Sequence, residues 1–378
     1  MLLLQALGSN GSGQLGLGHK EDVSTPQPVL LPPSLTTTTP QPKLQRIAAG
    51  GNHTLLLFQS GDLLWSGDAT TGACGPVTTT TPPDKPDPPT PHFRPVDLTS
   101  LLEGTKVLDV TATWTATIIV TTNPSSPNPD LGNRVYTFGT GLKGELGVQD
   151  TSHTFLPTPI PAFPPPNTHI TDLSSCMGHA VAVLSNGEAW GWGNGRKGQL
   201  GEPSAGAVSA PRRIEVGDAG FKVAKAVCGR EFTCLFGAPE TGEMVVLGSD
   251  KWGVRSQAPS PVEVAGWKEV GAGWGSVFVL RGDGRLLSWG RDDHGQLARE
   301  GIGRVKDIAV GSEHTLALTE AGELMVWGWG EHGNCGPIRN RDGEKGERNM
   351  IASTAEGADI TMIGAGCATS WIAIEKQT

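Results

Sequence analysis

The sequence lacks the long apolar runs and basic runs that would mark a membrane or nucleic-acid-binding protein. No window approaches the length of a membrane span, and the three leucines after Met1 are too short for a signal-peptide core. No Lys/Arg-rich run occurs, and the formal net charge of -9 disfavours direct contact with nucleic acid. We therefore expect a soluble intracellular protein, located in the cytoplasm, with the nucleus as an open second location.

Cysteine patterns and catalytic motifs are also sparse. The six cysteines show no C-x-x-C and no zinc-finger spacing, so reduced and mostly buried thiols are expected. The sequence contains no G-x-S-x-G, no H-E-x-x-H and no phosphate-binding G-x-x-x-x-G-K-S/T. These absences favour a protein that is not an enzyme and holds no cofactor, although a catalytic site assembled from distant segments stays open.

Glycine, proline and tryptophan are abundant instead. The 378 residues include 53 Gly, 29 Pro and 11 Trp but one Tyr, a composition typical of many short strands joined by tight turns. An all-β fold is therefore expected.

A glycine-framed segment recurs along the chain, and such self-similarity indicates a repeat architecture. Six copies align without gaps: LGSNGSGQLG (7–16), SGDATTGACG (66–75), FGTGLKGELG (138–147), WGNGRKGQLG (192–201), WGRDDHGQLA (289–298) and WGWGEHGNCG (327–336). A seventh, degraded copy is LGSDKWGV (247–254), which keeps the first glycine. The framing glycines to which we assign a structural role are Gly8, Gly16, Gly139, Gly147, Gly193, Gly201, Gly328 and Gly336.

A second repeated element consists of an apolar run, a short turn and another apolar run, which predicts a buried hairpin. It occurs seven times, at 46–58, 107–120, 170–184, 223–236, 268–280, 305–318 and 361–374. Seven units of about four strands, 378/7 or about 54 residues each, have the size of propeller blades. The chain begins with a glycine-framed segment and ends with a hairpin, so joining its ends would complete one blade and close the ring.

At these repeats the sequence resembles the regulator-of-chromosome-condensation repeat family, and the resemblance covers nearly the whole chain. It implies an all-β, seven-bladed propeller that spans residues 1–378 as a single domain. The family includes the exchange factor of the small GTPase Ran, ubiquitin-ligase subunits and photoreceptors, so the fold alone does not give the function.

Proline- and threonine-rich tracts interrupt the repeats at about 31–43, 76–95, 121–130 and 155–167. Proline lacks the donor that a central strand needs, and these tracts carry little apolar surface. We expect them to be mobile surface loops; a role as ligands for a proline-binding domain is the alternative.

The cluster in WGWGEHGNCG invites a metal-site interpretation, but His332 and Cys335 occupy positions that hold Lys197 and Leu200 in another copy. A zinc site would also need further ligands, so the segment is interpreted as part of the repeat and no metal is expected. The recurrent turn histidines His53, His179 and His314 are expected to tie one blade to the next by hydrogen bonds.

Departures from the repeat are the better candidates for function. Trp114, Trp274 and the Arg230–Glu231 pair stand in hairpin turns that otherwise carry small or polar residues. Equivalent turns of a propeller emerge on one face, and aromatic and arginine anchors are typical of protein-binding hot spots. The alternative is that the two tryptophans plug the channel mouth. Trp329, Glu331 and His332 are added as partner-binding candidates if their loop reaches the same face.

The segments GSNGSGQLGLGHKEDVSTPQP and GAGCATSWIAI resemble a fungal branch of the family. That resemblance implies a non-enzymatic heterodimer with a small CSL-type zinc-finger protein, an electron carrier that holds the metal itself. The pair would serve diphthamide synthesis on elongation factor two and Elongator-dependent tRNA wobble-uridine modification, and hence sensitivity to a tRNA-cleaving killer toxin. The alternative function is nucleotide exchange on a Ran-like GTPase, although the basic tail and ordered wedge expected of such a factor are missing. A scaffold module of a ubiquitin ligase is a third possibility.

Overall fold

A computed structural model describes the chain at residues 2–36, 42–77, 92–125, 132–217, 220–337, 348–353 and 358–376. Its strands form seven antiparallel sheets, each one a blade. No helix in these ranges is long and apolar enough to cross a membrane.

The elements of the first half, in chain order, are β1 (Leu2–Gly8), β2 (Val23–Pro28), α1 (Pro33–Thr36), β3 (Leu44–Ala49), β4 (His53–Phe58), β5 (Leu63–Gly67), β6 (Arg94–Pro95), β7 (Val107–Ala112), β8 (Ala116–Thr121), β9 (Arg134–Thr140), β10 (His153–Pro159), β11 (Ile170–Cys176), β12 (His179–Leu184), β13 (Ala189–Gly195) and β14 (Ala205–Ile214). Blade one contains β3 to β6, blade two β7 to β10 and blade three β11 to β14.

The elements of the second half are β15 (Lys225–Cys228), β16 (Phe232–Phe236), β17 (Met244–Gly248), a 3₁₀ helix (Lys251–Gly253), α2 (Pro261–Val264), β18 (Trp267–Ala272), β19 (Ser276–Arg281), β20 (Leu286–Gly290), β21 (Val305–Val310), β22 (His314–Thr319), β23 (Glu323–Gly328), β24 (Asn349–Ser353), β25 (Ala358–Ala365) and β26 (Thr369–Lys376). Blade four contains β15 to β17, blade five β18 to β20 and blade six β21 to β24.

Blade seven joins the two ends of the chain, as the sequence predicted. Its strand order is β2-β1-β26-β25. Strands β1 and β26 pair without interruption, from Leu2 opposite Glu375 to Gly8 opposite Thr369. This pairing closes the ring and satisfies strand edges that an open array would expose.

The innermost strand of every blade lines a central channel of about 400 Å³. This is the first strand of blades one to six and β25 of blade seven, which we count as the first strand of that blade. The apolar core lies between neighbouring blades, where tryptophans of the third strands are buried. Trp327 is fully buried, and its indole Nε1 donates a 2.8 Å hydrogen bond to the Gln296 carbonyl of the preceding blade. Trp192 does the same to the Glu145 carbonyl at 3.0 Å. These bonds satisfy the polar end of a side chain whose main contribution is apolar burial.

The opening glycine of each frame is explained by a close backbone approach. Gly328 has φ +111°, and a Cβ there would lie 2.5 Å from the Glu313 carbonyl oxygen. That same oxygen accepts the N–H of Trp329 at 2.9 Å. The arrangement recurs in all seven blades, including Gly248 of the degraded copy. Only glycine combines the positive φ with the missing side chain that this bond requires.

The expectation that residues 155–167 form a mobile loop is wrong. Residues up to Pro159 belong to β10, the outermost strand of blade two, and Ile160 and Phe163 beyond it are buried in the core. An outermost strand pairs on one side only, so proline can occupy positions whose missing N–H would face solvent. The tract therefore belongs to the blade.

The other three proline- and threonine-rich tracts lie only partly within the described residues. Residues 33–36 of the first tract form α1, and Phe93 of the second is fully buried with its ring 5.9 Å from that of Trp371. Residues 37–41, 78–91 and 126–131 lie outside the described ranges. Within the described residues, Leu35 of the first tract and Phe93 of the second pack against the core.

Blades four and five show three strands each, where about four were expected. In blade four the chain after β17 forms the 3₁₀ helix and then α2, whose N-cap residue Ser260 donates its backbone N–H and its hydroxyl to the Glu263 carboxylate. The loop of the degraded repeat copy lies here, so its sequence departure corresponds to a departure in structure.

The three turn histidines join neighbouring blades by hydrogen bonds, which is the role expected of them. Their Nε2 atoms lie 3.2 Å from Thr117 Oγ1 for His53, 3.0 Å from Thr233 Oγ1 for His179 and 2.9 Å from Ser370 Oγ for His314. Burial lowers the pKa of each from 6.5 to about 4, and this effect outweighs the opposing charge of Asp68 at His53 and the opposing backbone hydrogen bonds at His179 and His314. The folded protein therefore holds all three as neutral imidazoles at neutral pH.

These lowered pKa values predict acid sensitivity. Between pH 6.5 and 4 the unfolded chain binds protons at these positions that the folded protein excludes, so the free energy of unfolding falls as the pH falls. Each histidine is expected to contribute on the order of 1 kcal/mol per pH unit within that window. Urea denaturation between pH 7 and pH 5 would measure the slope. A His314→Gln variant should show a shallower slope, and an unchanged slope would contradict the assignment.

Candidate functional site

One face of the ring carries both the candidates in hairpin turns, such as Trp114 and Trp274, and the candidates in the segment 327–336, such as Trp329. We call the turn between the first and second strands of a blade its inner turn, and the segment after the third strand its framed loop. In every blade the framed loop donates a backbone hydrogen bond to the inner turn, as Trp329 does to Glu313 at 2.9 Å and Ser249 does to Glu231 at 2.9 Å. The loop holding Trp329, Glu331 and His332 thus reaches the face that carries Trp114 and Trp274.

Trp114 and Trp274 meet over the channel. They belong to the inner turns of blades two and five, and their ring centroids lie 6.0 Å apart. The backbone N–H of each donates to the inner turn of the next blade, Trp114 to the Met177 carbonyl at 2.8 Å and Trp274 to that of Ser312 at 2.7 Å. The two indoles therefore cover the channel mouth, as the alternative interpretation held, while both remain partly exposed.

Beside the tryptophan pair lies a cleft of about 260 Å³ between the inner turns and framed loops of blades four and five. The exposed Arg230 places its guanidinium 5.4 Å from the Trp274 ring centroid, and Glu231 also lines the cleft. Trp252, which is 40% exposed, also lines the cleft. Two of the sequence candidates thus share this cleft with Trp274.

Arg291 connects the cleft to the next blade. Its guanidinium lies 4.9 Å from the Trp252 ring centroid, pairs with Asp293 at 2.7 Å and forms an ion pair with the buried Glu313. The hydrogen bonds from Arg291 hold the pKa of Asp293 down at about 2. Arg291 is therefore fixed in place, and its charge is compensated within the protein.

The framed loop of blade six extends the surface outward. Trp329 is 39% exposed and stacks on His294, with ring centroids 4.5 Å apart and planes inclined by 15°. His332 Nδ1 lies 2.9 Å from a carboxylate oxygen of Asp22 in blade seven. Glu331 is exposed beside them.

These side chains form a connected surface, which we call the blade four–six surface. It comprises Trp114, Arg230, Glu231, Lys251, Trp252, Trp274, Arg291, His294, Trp329, Glu331 and His332. It combines partly exposed tryptophans with charged side chains, and interfaces are enriched in aromatic residues and arginine.

Sequence reasoning missed Trp252 and its neighbours. Trp252 does not lie in an inner turn but in the degraded copy LGSDKWGV of the framed segment. Departure from the repeat, applied as a criterion to the framed loops as well, would have found Trp252, because a large aromatic occupies a position that holds Ser12 or Lys197 elsewhere.

The cluster WGWGEHGNCG is divided by the fold. Cys335 is buried, and burial raises the pKa of its thiol to about 12, so it is a core residue. His332 faces solvent and Asp22. Within the described ranges no group of three or more His, Cys, Asp or Glu side chains is arranged to hold a metal ion.

Ion pairs lie at the channel end away from this face. Arg46 pairs with Asp109 at 2.7 Å, and Lys225 pairs with Asp172 at 3.1 Å. Arg46 also donates to the Leu173 carbonyl at 2.8 Å. The ion pairs link first strands of neighbouring blades, and the Arg46–Leu173 bond links blade one to blade three, so these charges are satisfied within the ring.

Comparison with known proteins agrees with this architecture. The RCC1-like domain family matches residues 4–372. The RCC1 repeat-containing protein C10F6.04 of Schizosaccharomyces pombe is 31% identical over 390 residues, which cover 99% of each chain. The secretion-regulating guanine nucleotide exchange factor of Bos taurus is 28% identical over 316 residues, or 78% of this chain and 61% of that protein. The solved structure of Prp20p from Saccharomyces cerevisiae, described with its binding to Gsp1p and histones, has a TM-score of 0.78 at 21% identity and covers 100% of this chain and 92% of its own.

Proposed function

Because this chain belongs to the RCC1-like domain family of seven-bladed propellers, we propose that it acts as a non-enzymatic binding partner through the blade four–six surface. The observation that carries this proposal is the gathering of Trp252, Trp274 and Trp329 with Arg230 on one connected face. Partly exposed tryptophan and arginine side chains supply most of the energy in typical protein interfaces.

The partner that we propose is a small CSL-type zinc-finger protein that carries electrons. The support is the resemblance of the terminal segments to the fungal alpha-tubulin suppressor, also called killer-toxin-insensitivity protein thirteen. In this role the pair forms a heterodimer in the cytoplasm, and also in the nucleus. It supports diphthamide synthesis on elongation factor two and Elongator-dependent modification of tRNA wobble uridines.

In the proposed complex the metal belongs to the partner. Docking near a metal site would limit the access of solvent to it and restrict which acceptor enzymes it meets. The propeller itself contributes no proton transfer or redox chemistry in this role. It contributes an aromatic surface with a fixed geometry, since the inner turns are joined to one another by backbone hydrogen bonds.

A second candidate function is nucleotide exchange on a Ran-like small GTPase. Its support is the similarity to the bovine exchange factor and the shared fold of Prp20p. Both functions use a protein-binding face of a propeller. They differ in the partner that binds and in the result of binding.

Isothermal calorimetry with the purified CSL zinc-finger protein tests the first function. We expect one-to-one binding with an affinity in the micromolar range or tighter. The parallel control measures nucleotide release from a Ran-type GTPase, which we expect to remain at its intrinsic rate. Absence of binding, or acceleration of nucleotide release, would overturn the proposed partner.

A further inference from the structure

The cleft between Trp252 and Trp274 has an unusual charge for this protein. The chain carries a formal net charge of -9, yet Arg230, Lys251 and Arg291 line the cleft and Glu231 is the single acidic residue among its described lining residues. The local excess of positive charge therefore opposes the charge of the whole chain.

Two of these three cations lack a carboxylate partner. Arg291 is compensated by Asp293 and Glu313. Within the described residues, Arg230 and Lys251 form no ion pair, and each is held only against an indole, Arg230 at 5.4 Å from the Trp274 centroid and Lys251 Nζ at 4.9 Å from that of Trp252. Their hydrogen-bond donors remain available to a ligand, because contact with an aromatic face uses none of them.

Trp252 is presented to solvent by an unfavourable backbone. Its φ of +72° lies in the left-handed region that bulky residues rarely adopt. The neighbouring N–H groups are secured nonetheless, since Gly253 donates to the Asp250 carbonyl at 2.9 Å and Arg255 to the Asp250 carboxylate at 2.8 Å. The loop thus holds a partly exposed indole in the cleft lined by Trp274, where its ring contacts Lys251 and Arg291.

We propose that this cleft receives an acidic side chain, aspartate or glutamate, from an extended segment of the partner protein. The carboxylate accepts hydrogen bonds from the Arg230 guanidinium and the Lys251 ammonium, while the methylene groups of the acidic residue and its neighbours pack on the indoles that line the cleft. Charged hydrogen bonds of this kind strengthen when the surrounding aromatic surface excludes water.

This inference deepens the proposed function, and one arm of its test does not depend on the identity of the partner. In that arm ¹⁵N-labelled protein is titrated with the peptide acetyl-Gly-Glu-Leu-Glu-Gly-amide and with its glutamine counterpart. The indole N–H signals of Trp252 and Trp274, assigned from Trp252→Asn and Trp274→Phe variants, report occupancy of the cleft. Asparagine is chosen at position 252 because it tolerates positive φ.

We expect the two indole signals to shift with the glutamate peptide, with an affinity at least about fivefold above that of the glutamine peptide. The shifts should vanish in the double variant Arg230→Gln, Lys251→Gln. A matched variant, Arg196→Gln with Lys197→Gln, removes two exposed cations from the framed loop of blade three and should leave them intact. Equal shifts with both peptides, or no shift with either, would overturn the proposal.

The second arm uses the CSL zinc-finger protein. The Arg230→Gln, Lys251→Gln variant is expected to lose roughly tenfold or more in affinity and part of the salt dependence of binding. If the wild-type protein does not bind this partner while the glutamate peptide still binds, the proposed partner fails and the acidic-residue site stands. If the double variant binds the partner as tightly as the wild type, the site fails and the proposed function stands.

Discussion

Replacing Trp327 with alanine is expected to lower the free energy of unfolding by about 3–5 kcal/mol, a large part of the 5–15 kcal/mol typical of folded proteins. Trp327 is fully buried between blades five and six, among Phe278, Leu280 and Ala317. The substitution would leave a cavity that the rigid sheets cannot close. It would also leave the Gln296 carbonyl without the donor that now lies 2.8 Å away. Urea denaturation followed by circular dichroism would measure the loss.

Trp329→Ala is the matched control, because it removes the same side chain two residues further along. Trp329 is 39% exposed and contacts mainly His294, so its loss should cost less than about 1 kcal/mol of stability. Similar losses for both variants would mean that the blade interface does not depend on the buried tryptophan.

Replacing Trp274 with alanine is expected to weaken binding of the proposed partner by about 30-fold or more, which is the effect of losing a central hot-spot residue. Trp274 contacts Trp114 across the channel mouth, supports Arg230 and forms one wall of the cleft. Its removal therefore disturbs three candidate contacts at once. Calorimetry on the variant and the wild-type protein would give the ratio of affinities.

Two controls make this result interpretable. Leu142→Ala removes an exposed apolar side chain, 79% accessible, from the framed loop of blade two on the same face, and it should leave affinity unchanged. Denaturation of the Trp274→Ala variant shows whether the fold persists, since the indole is partly buried. Unchanged affinity in a folded Trp274→Ala variant would place the binding surface elsewhere on the ring.

Much of the fold could be predicted from the sequence because repeats report on their own architecture. The framing glycines recur because each framed loop must approach the inner turn of its blade, and a Cβ at Gly193 or Gly328 would lie 2.5 Å from a carbonyl oxygen. Local backbone constraints of this kind leave the same residue at every copy. The blade count and the shared blade followed from that regularity.

The tract at 155–167 was predicted wrongly because composition does not say where a segment sits in a sheet. Proline excludes a central strand but not an outermost one. Two apolar residues of the tract, Ile160 and Phe163, reach the core, whereas Phe155 and Leu156 remain exposed. Similar reasoning failed for Phe93, which lies in a proline-rich tract and packs on Trp371.

The sequence by itself determined the seven blades, the closure of the ring, the blade-joining histidines and the face on which the inner turns emerge, because each depends on interactions repeated at a constant spacing. The tertiary structure alone decided that Trp114 meets Trp274 across the channel, and that Trp252, Lys251 and Arg291 complete a cleft with Arg230. These contacts join residues from different blades at positions where the repeat is broken. A periodic pattern carries no information about such contacts, since closing the ring is what brings their residues together.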